Sequence, residues 1–245
     1  MKGIILAGGL GTRLLPLTTV INKHLLPVYD RPMIFYPIQT LVNAGIKEIM
    51  VVTGGPHAGD FMRVLKNGEE LGLKHLEYAY QEGEGGIAEA LSLAHEFADK
   101  GPVTVILGDN TTDADIAPPV QNFKKGALLF LKEVPDPHRF GVPVFDKNKR
   151  IVSIEEKPKN PKSSLAVTGL YIYDGSVFDK IAKVIPSARG ELEITDVNNL
   201  YIKDDRLSWT LLEGFWRDAG TFQTLFEANR YWASKAQRAK GQGKA

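Results

Sequence analysis

The feature that most constrains this chain lies near its start, where the apolar run 3–7 breaks into Gly8-Gly9-Leu10-Gly11-Thr12-Arg13. An unalternating apolar run of that length suits a strand buried on both faces, which is the habit of a parallel sheet. Glycines just past such a strand let the backbone take positive φ and approach a ligand closely. Successive free N–H groups there make a nest for anions. With Met1-Lys2 ahead of it, the run could pass for a signal peptide. It is short, glycine-broken and followed at once by Arg13, so it reads as a strand.

The segments that follow extend the pattern. Residues 49–53, 76–80 and 103–107 are further compact apolar runs, and helical patterns at 33–44, 58–66 and 87–99 alternate with them. Pro32 precedes the first of these and Gly45 follows it; Asn67-Gly68 and Gly101-Pro102 close the other two. Such alternation predicts an α/β fold, Rossmann-like, with a mostly parallel central sheet and helices on both faces. Beyond residue 120 the character changes. Runs at 127–134, 141–145, 151–156 and 166–173 are strand-like with few helices between them, predicting a mixed or antiparallel lobe that covers one end of the sheet. Helices return at 176–184, 194–202 and 221–234, and the basic tail 235–245 reads as a frayed helix end. With no linker or repeat, 1–245 is expected to form a single domain, with one lobe over about 1–120 and a second over 121–235.

Two familiar phosphate loops are excluded. GxGxxG fails because Leu14 stands where the third glycine belongs, and the P-loop fails for want of a Lys-Ser/Thr pair. What remains is GGxGTR, with Arg13 placed to brace a triphosphate; the plainer alternative is a strand-to-helix turn with a solvated arginine. Lys23, in Asn22-Lys23-His24-Leu25-Leu26-Pro27, would complete a cationic clamp.

Local charges must do this work, because the formal net charge is only +1 and offers no global field for nucleic acid or membrane. The absence of cysteine removes thiol nucleophiles, disulfides and thiolate metal sites. The five histidines never fall at an HxxxH spacing. No stretch approaches the about 20 apolar residues of a membrane helix. A soluble, cytoplasmic protein is therefore expected.

Two aspartates are the carboxylate candidates. Asp109 follows the run 103–107 and Gly108, at the carboxyl end of a strand, where ligands bind in open α/β sheets. Asp218 stands between Phe215-Trp216-Arg217 and Ala219-Gly220-Thr221. Brought to one edge they would offer hard oxygens to Mg²⁺; the plainer reading is that each caps a turn or helix. In Glu155-Glu156-Lys157-Pro158, a carboxylate for sugar hydroxyls and a lysine for a phosphate compete with a charge-protected edge strand.

Together the segments GIILAGGLGTRL, NKHLLPVYDRPMI, LGDN, FGVPVFD, IEEKPKNPKSSLAVTGLYIYD, SARGELEITD and WRDAGT resemble the sugar-1-phosphate nucleotidyltransferases over nearly the whole chain. KSSLAVTG and SARGELEITD point to the thymidylyl branch. The resemblance implies that Leu6, Gly8, Gly9, Arg13, Lys23 and Asp109 hold the nucleotide, and that Gln81 and Gly86 read the pyrimidine edge. It implies Asn110, Gly141, Glu156, Val167, Lys157 and Arg189 around the sugar phosphate, and Mg²⁺ on Asp109 and Asp218. Arg13, Lys23, Asp109 and Lys157 would carry catalysis.

The implied reaction moves a thymidylyl group from dTTP to glucose 1-phosphate and releases pyrophosphate. An ionised phosphate attacks without a general base, so the lack of a Ser/His/Asp set is no objection. Alternatives within the chemistry are UTP or another hexose 1-phosphate; outside it stand a non-catalytic nucleotide-sugar sensor and, weaker, a nicotinamide dehydrogenase. A homo-oligomer, dimer or tetramer, is implied, with Phe35, Tyr36 and Trp232 as interface or core residues. Departures are Thr111-Thr112-Asp113, where relatives often carry an apolar aromatic pair, and Asn22, where serine is frequent. The sequence also ends about where longer relatives add a helical segment, which bears on a regulatory site there and not on the catalytic one.

Overall fold

Strand β1 (Lys2–Ala7) is the middle of the structure, with Ile4 and Ile5 pointing to opposite faces and both wholly buried. The computed structural model describes residues 1–242. After β1 come β2 (Pro27–Val28), β3 (Arg31–Pro32), α1 (Phe35–Asn43), β4 (Glu48–Gly54), α2 (Ala58–Leu65), β5 (His75–Gln81), α3 (Ile87–Ser92), α4 (His95–Ala98) and β6 (Val103–Leu107). The second half adds β7 (Asn110–Thr112), α5 (Ala117–Asn122), β8 (Ala127–Glu133), β9 (Gly141–Phe145), β10 (Ile151–Glu156) and β11 (Leu165–Tyr173). It closes with α6 (Val177–Ile181), α7 (Ile194–Lys203), β12 (Leu207–Leu211), β13 (Trp216–Asp218) and α8 (Phe222–Gln242).

One seven-stranded sheet, ordered β12-β8-β11-β6-β1-β4-β5, runs through both halves. β6, β1, β4 and β5 are parallel neighbours, as their apolar runs require. β11 is antiparallel to both β6 and β8, and β12 returns parallel to β8. The expected mixed addition therefore extends the same sheet. Outside it stand three two-stranded pairs, β2-β3, β7-β13 and the hairpin β9-β10, which lies against α7 and β11. Alternate residues feed two cores. Ile4, Leu6, Val52 and Val105 pack with α3, α6 and α7, whereas Ile5, Val51 and Ile106 pack with α1, α2 and α5. A smaller cluster of Leu14, Leu26, Val28, Met33, Tyr36, Ala219 and Ala228 lies beneath α8.

Two expectations are corrected and one open alternative is narrowed. The single helix over 87–99 is two, because the Ser92 hydroxyl donates back to the Glu89 carbonyl at 2.7 Å and the helix stops there. The last helix runs on to Gln242, well past 234, leaving only the final residues of the tail outside the described part. Tyr36 is buried and packs on Trp232 with ring centroids 4.6 Å apart, which favours the core reading of that pair. Among the described residues no helix is long and apolar enough to cross a membrane.

Candidate active site

The parallel strands all deliver their C-terminal ends to one edge. Gly8 follows β1, Gln81 ends β5, and Gly108-Asp109 follows β6. Between them opens a cavity of about 310 Å³ lined by every residue assigned from the sequence to the nucleotide: Leu6, Gly8, Gly9, Arg13, Lys23, Gln81, Gly86 and Asp109. The glycine turn leads into a single 3₁₀ turn at Thr12–Leu14 instead of an α-helix, with Gly11 at φ 70°. A Cβ on Gly11 would lie 2.9 Å from the Lys23 Cβ, so the turn needs glycine both for its backbone and for the lysine crossing it. At Gly8 any side chain would collide with the Gln81 amide oxygen.

The two aspartates meet although they are far apart in sequence. β7 and β13 form a short antiparallel ribbon in which Asp218 faces Asn110, the neighbour of Asp109. The Ala219 N–H donates to the Asp109 carbonyl at 2.8 Å and fixes the register. A Cβ placed on Gly220 would have Arg13 Nη2 at 3.3 Å, Asp109 Oδ2 at 3.4 Å and Asp218 Oδ2 at 3.6 Å. Gly220 thus fronts the point where one cation and two acids converge. Thr221 and Thr224 exchange hydrogen bonds at the start of α8, so Asp218 is free of the capping role weighed for it. The ribbon also explains the departure at 111–113. Thr111 and Thr112 donate to the carbonyls of Arg217 and Phe215, while Asp113 accepts from the Phe215 N–H, Tyr231 and Lys235. These residues staple the ribbon to itself and to α8, and none of them lines the cavity.

Each acid has a basic partner. Lys23 Nζ donates to Asp109 Oδ2 at 2.6 Å, and Arg139 Nη2 donates to Asp218 Oδ2 at 2.8 Å while its Nη1 holds Asp136. Burial alone would raise the Asp109 pKa; the Lys23 charge and hydrogen bonds from Lys23 and Asn110 outweigh it and hold the carboxyl well below the usual range. His24, buried and beside Lys23, is pushed down to about 3, so at neutral pH it is uncharged and adds nothing to Asp109. Its Nδ1 lies 2.7 Å from Asn22 Oδ1, which also accepts from the His24 N–H. Asp218 goes the other way. Despite Arg139, burial and the Asp109 charge push its carboxyl up to about 6.

Asp218 Oδ1 is buried with no hydrogen-bond partner, as expected of an oxygen kept for a cation. Among the described residues no group of three or more His, Cys, Asp or Glu gathers. Two carboxylates fit a hard divalent ion whose remaining ligands are substrate oxygens and water. A protonated Asp218 cannot bind such an ion, so Mg²⁺ affinity is expected to fall as pH drops through about 6. Titrating Mg²⁺ against turnover at several pH values checks this, and an affinity constant from pH 8 to 5 would exclude Asp218 as a ligand.

The residues assigned to the sugar phosphate fall into three places. Gly141, Glu156, Lys157 and Arg189 come together: Glu156 Oε1 has Lys157 Nζ at 3.4 Å and Arg189 Nη2 at 3.8 Å, and a Cβ on Gly141 would lie 3.6 Å from Glu156 Oε2. Val167 is buried in the core, on β11 opposite Leu131. Asn110 is 1% exposed and bridges two groups, donating to Asp109 Oδ1 and accepting from the Trp216 indole, so its place is behind the acid. Sequence reasoning missed Thr195, which donates to Glu156 Oε2 at 2.6 Å, and Arg139 and Gly220 on the acid side. It also missed Glu191, which lines the cavity and lies 3.4 Å from Arg189. The segment carrying Glu191 clamps the glycine loop of Gly85-Gly86, with Leu192 N–H donating to Gly85 and Ala88 N–H to Leu192. That contact joins the two groups of residues.

The pattern of the nucleotidyl transferase family matches residues 2–235. A glucose-1-phosphate thymidylyltransferase of Actinoplanes sp. is 47% identical over 94% of this chain and 78% of its own. One from Neisseria gonorrhoeae is 47% identical over 93% of this chain and 81% of its own. Among solved structures, a Bacillus anthracis protein described as a candidate glucose-1-phosphate thymidylyltransferase and holding sucrose superposes with a TM-score of 0.89 at 50% identity, covering 94% of both chains. A UDP-glucose pyrophosphorylase with UDP-glucose superposes at 0.85, at 24% identity over 96% of this chain and 98% of its own, a likeness of fold.

Proposed function

Because the chain belongs to the nucleotidyl transferase family, we propose that it transfers a thymidylyl group from dTTP to glucose 1-phosphate, releasing pyrophosphate and forming dTDP-glucose. The observation that carries this reading is the convergence of Arg13, Asp109 and Asp218 on the open face of Gly220, at the mouth of a cavity floored by the glycine turn. In the reaction a phosphate oxygen of the sugar 1-phosphate forms a bond to the α-phosphorus, and the bond from that phosphorus to the bridging oxygen of pyrophosphate breaks. The attacking oxygen is already ionised, so positioning and charge neutralisation are what the protein must supply.

Arg13 and Lys23, on either side of the glycine turn, face the triphosphate, and the turn's N–H groups hold it from below. Asp109 and Asp218 would hold Mg²⁺, which neutralises phosphate charge and orients the reacting groups when bound. Glu156, fixed by Thr195, accepts from sugar hydroxyls, and Lys157 and Arg189 bind the sugar phosphate. Names borne by the Actinoplanes and Neisseria relatives support the choice of glucose and thymidine.

The test is an incubation with Mg²⁺, glucose 1-phosphate and either dTTP or UTP, followed by pyrophosphate release. The reading expects release with dTTP and slower release with UTP. No release with either nucleotide, from glucose 1-phosphate or another hexose 1-phosphate, would sink the enzyme reading, and equal rates would extend the assignment to uridylyl transfer.

A further inference from the structure

We propose that Glu89 fixes which way the Gln81 amide faces and so makes the cavity select a base with an imino N–H, thymine or uracil, over cytosine. The inference rests on the nucleotide-site reading above and concerns a residue that touches no substrate.

Gln81 ends β5 and is 5% exposed, so its amide has no bulk water in which to turn freely. Its Nε2 donates to Glu89 Oε2 at 2.5 Å and to the Gly86 carbonyl at 3.2 Å. Both of its N–H groups are thereby committed. A flipped amide would set its oxygen against a carboxylate and a carbonyl, with no proton between them. Glu89 therefore leaves one orientation, with Oε1 beside Gly8 on the cavity side. Among the described residues no donor meets that oxygen, and it is not one of the sealed polar atoms. It is an acceptor held out to a ligand.

Nothing else about Glu89 demands this contact. As an acid in the first turn of α3 it stands where it could turn back to cap the helix. Instead its carboxylate fills the space over Gly85, where any side chain would displace it. Gly86, at φ 97°, is crowded by the backbone of Leu192 and cannot carry a Cβ either. Gly85 thus clears the path of the carboxylate to Gln81, and Gly86 lets the loop pack against Leu192. Among the described residues no acceptor meets the Gly86 N–H. An acceptor at Gln81 Oε1 and a donor at Gly86 match the N3–H of thymine or uracil and a carbonyl beside it. Cytosine puts an unprotonated N3 against Oε1, and adenine puts an unprotonated N1 there.

The experiment compares kcat/KM for dTTP and dCTP, with glucose 1-phosphate and Mg²⁺, in the wild type, E89K and E89A, with thermal unfolding of each. Competitive binding of the two nucleotides is measured on the same proteins. The ratio between nucleotides cancels whatever both feel alike, including fold, phosphate charge and metal. A tip that only donates, as in E89K, draws Oε1 away from the cavity, and the dTTP preference is expected to shrink by about tenfold or more. E89A, which leaves the Gly86 carbonyl as a single anchor, gives a smaller loss. An unchanged ratio in whichever variant folds, read from turnover or from binding, overturns the proposal, as does a wild type that takes dCTP as readily as dTTP. Absence of pyrophosphate release from the wild type with every nucleotide is a different outcome and counts against the function itself.

Discussion

Replacing Asp109 with asparagine is expected to abolish pyrophosphate release while the protein still folds. The carboxylate is one of two that face Gly220, and it carries a full charge at every working pH because Lys23 and Asn110 hold its proton off. Asparagine keeps the shape and can still accept from Lys23, but it offers a cation one neutral oxygen and an amide that repels it. Loss of a transition-state charge partner in a cleft of this kind costs about a thousandfold in kcat. The stability cost is smaller. Lys23 is 12% exposed and borders the cavity, so it can swing toward solvent, and about 1–3 kcal/mol is expected in place of the full penalty of a stranded buried charge. Turnover within tenfold of wild type, in a variant that melts cooperatively, would remove Asp109 from the chemistry.

The second large effect comes from the smallest change, Gly220→Ala. The backbone there is not in the left-handed region, so alanine is allowed conformationally. The added methyl would stand 3.3–3.6 Å from Arg13 Nη2, Asp109 Oδ2 and Asp218 Oδ2, in the space those groups share. Arg13 Nη2, at 3.3 Å, must retreat by a few tenths of an ångström, while the two oxygens are in ordinary contact with a methyl that would crowd any small hard cation held between them. A drop of about a hundredfold in kcat/KM is expected, with thermal stability within a degree or two of wild type. Wild-type kinetics for this variant would mean that the reacting groups meet elsewhere.

The fold was legible where the chain carries its own long signals. β1, β4 and β6 are unalternating apolar runs buried almost throughout, whereas β5, the edge strand, is only half-buried and carries a weaker signal over 76–80. β7 and β13 were illegible because Asn-Thr-Thr and Trp-Arg-Asp are three residues each and pair across 106 positions. Nothing local marks them as strands; partnership alone makes them so. The helix over 87–99 misled because Leu91, Ala94 and Ala98 do share a buried side, and the break depends on one serine turning its hydroxyl inward.

The site followed the same division. Arg13, Lys23 and Asp109 carry local cues, a glycine turn or a strand end, and the structure puts them around one cavity. Arg139 lies beside Asp136 in a loop of ordinary polarity, and only the folded chain reveals that it reaches Asp218. Glu89 looks like any acid in a first helical turn until the Gln81 amide is seen against it. Asn110 shows the converse. The resemblance implied that it meets the sugar phosphate, and its buried side chain is bonded to the acid and to Trp216.

Lys23 carries one positive charge for two anionic partners, although its three N–H groups can reach both. Its ammonium is 2.6 Å from Asp109, and a triphosphate that shares it would leave that carboxylate less fully neutralised in a confined space. In the proposed reaction a divalent cation arriving with the phosphates would remove that penalty, and a cation arriving alone would compete with the lysine. Nucleotide and metal would then be thermodynamically linked, each raising the affinity of the other by the same factor. Occupancy of the cleft would track the product of the two concentrations, and the protein would respond to the metal-complexed nucleotide as one species.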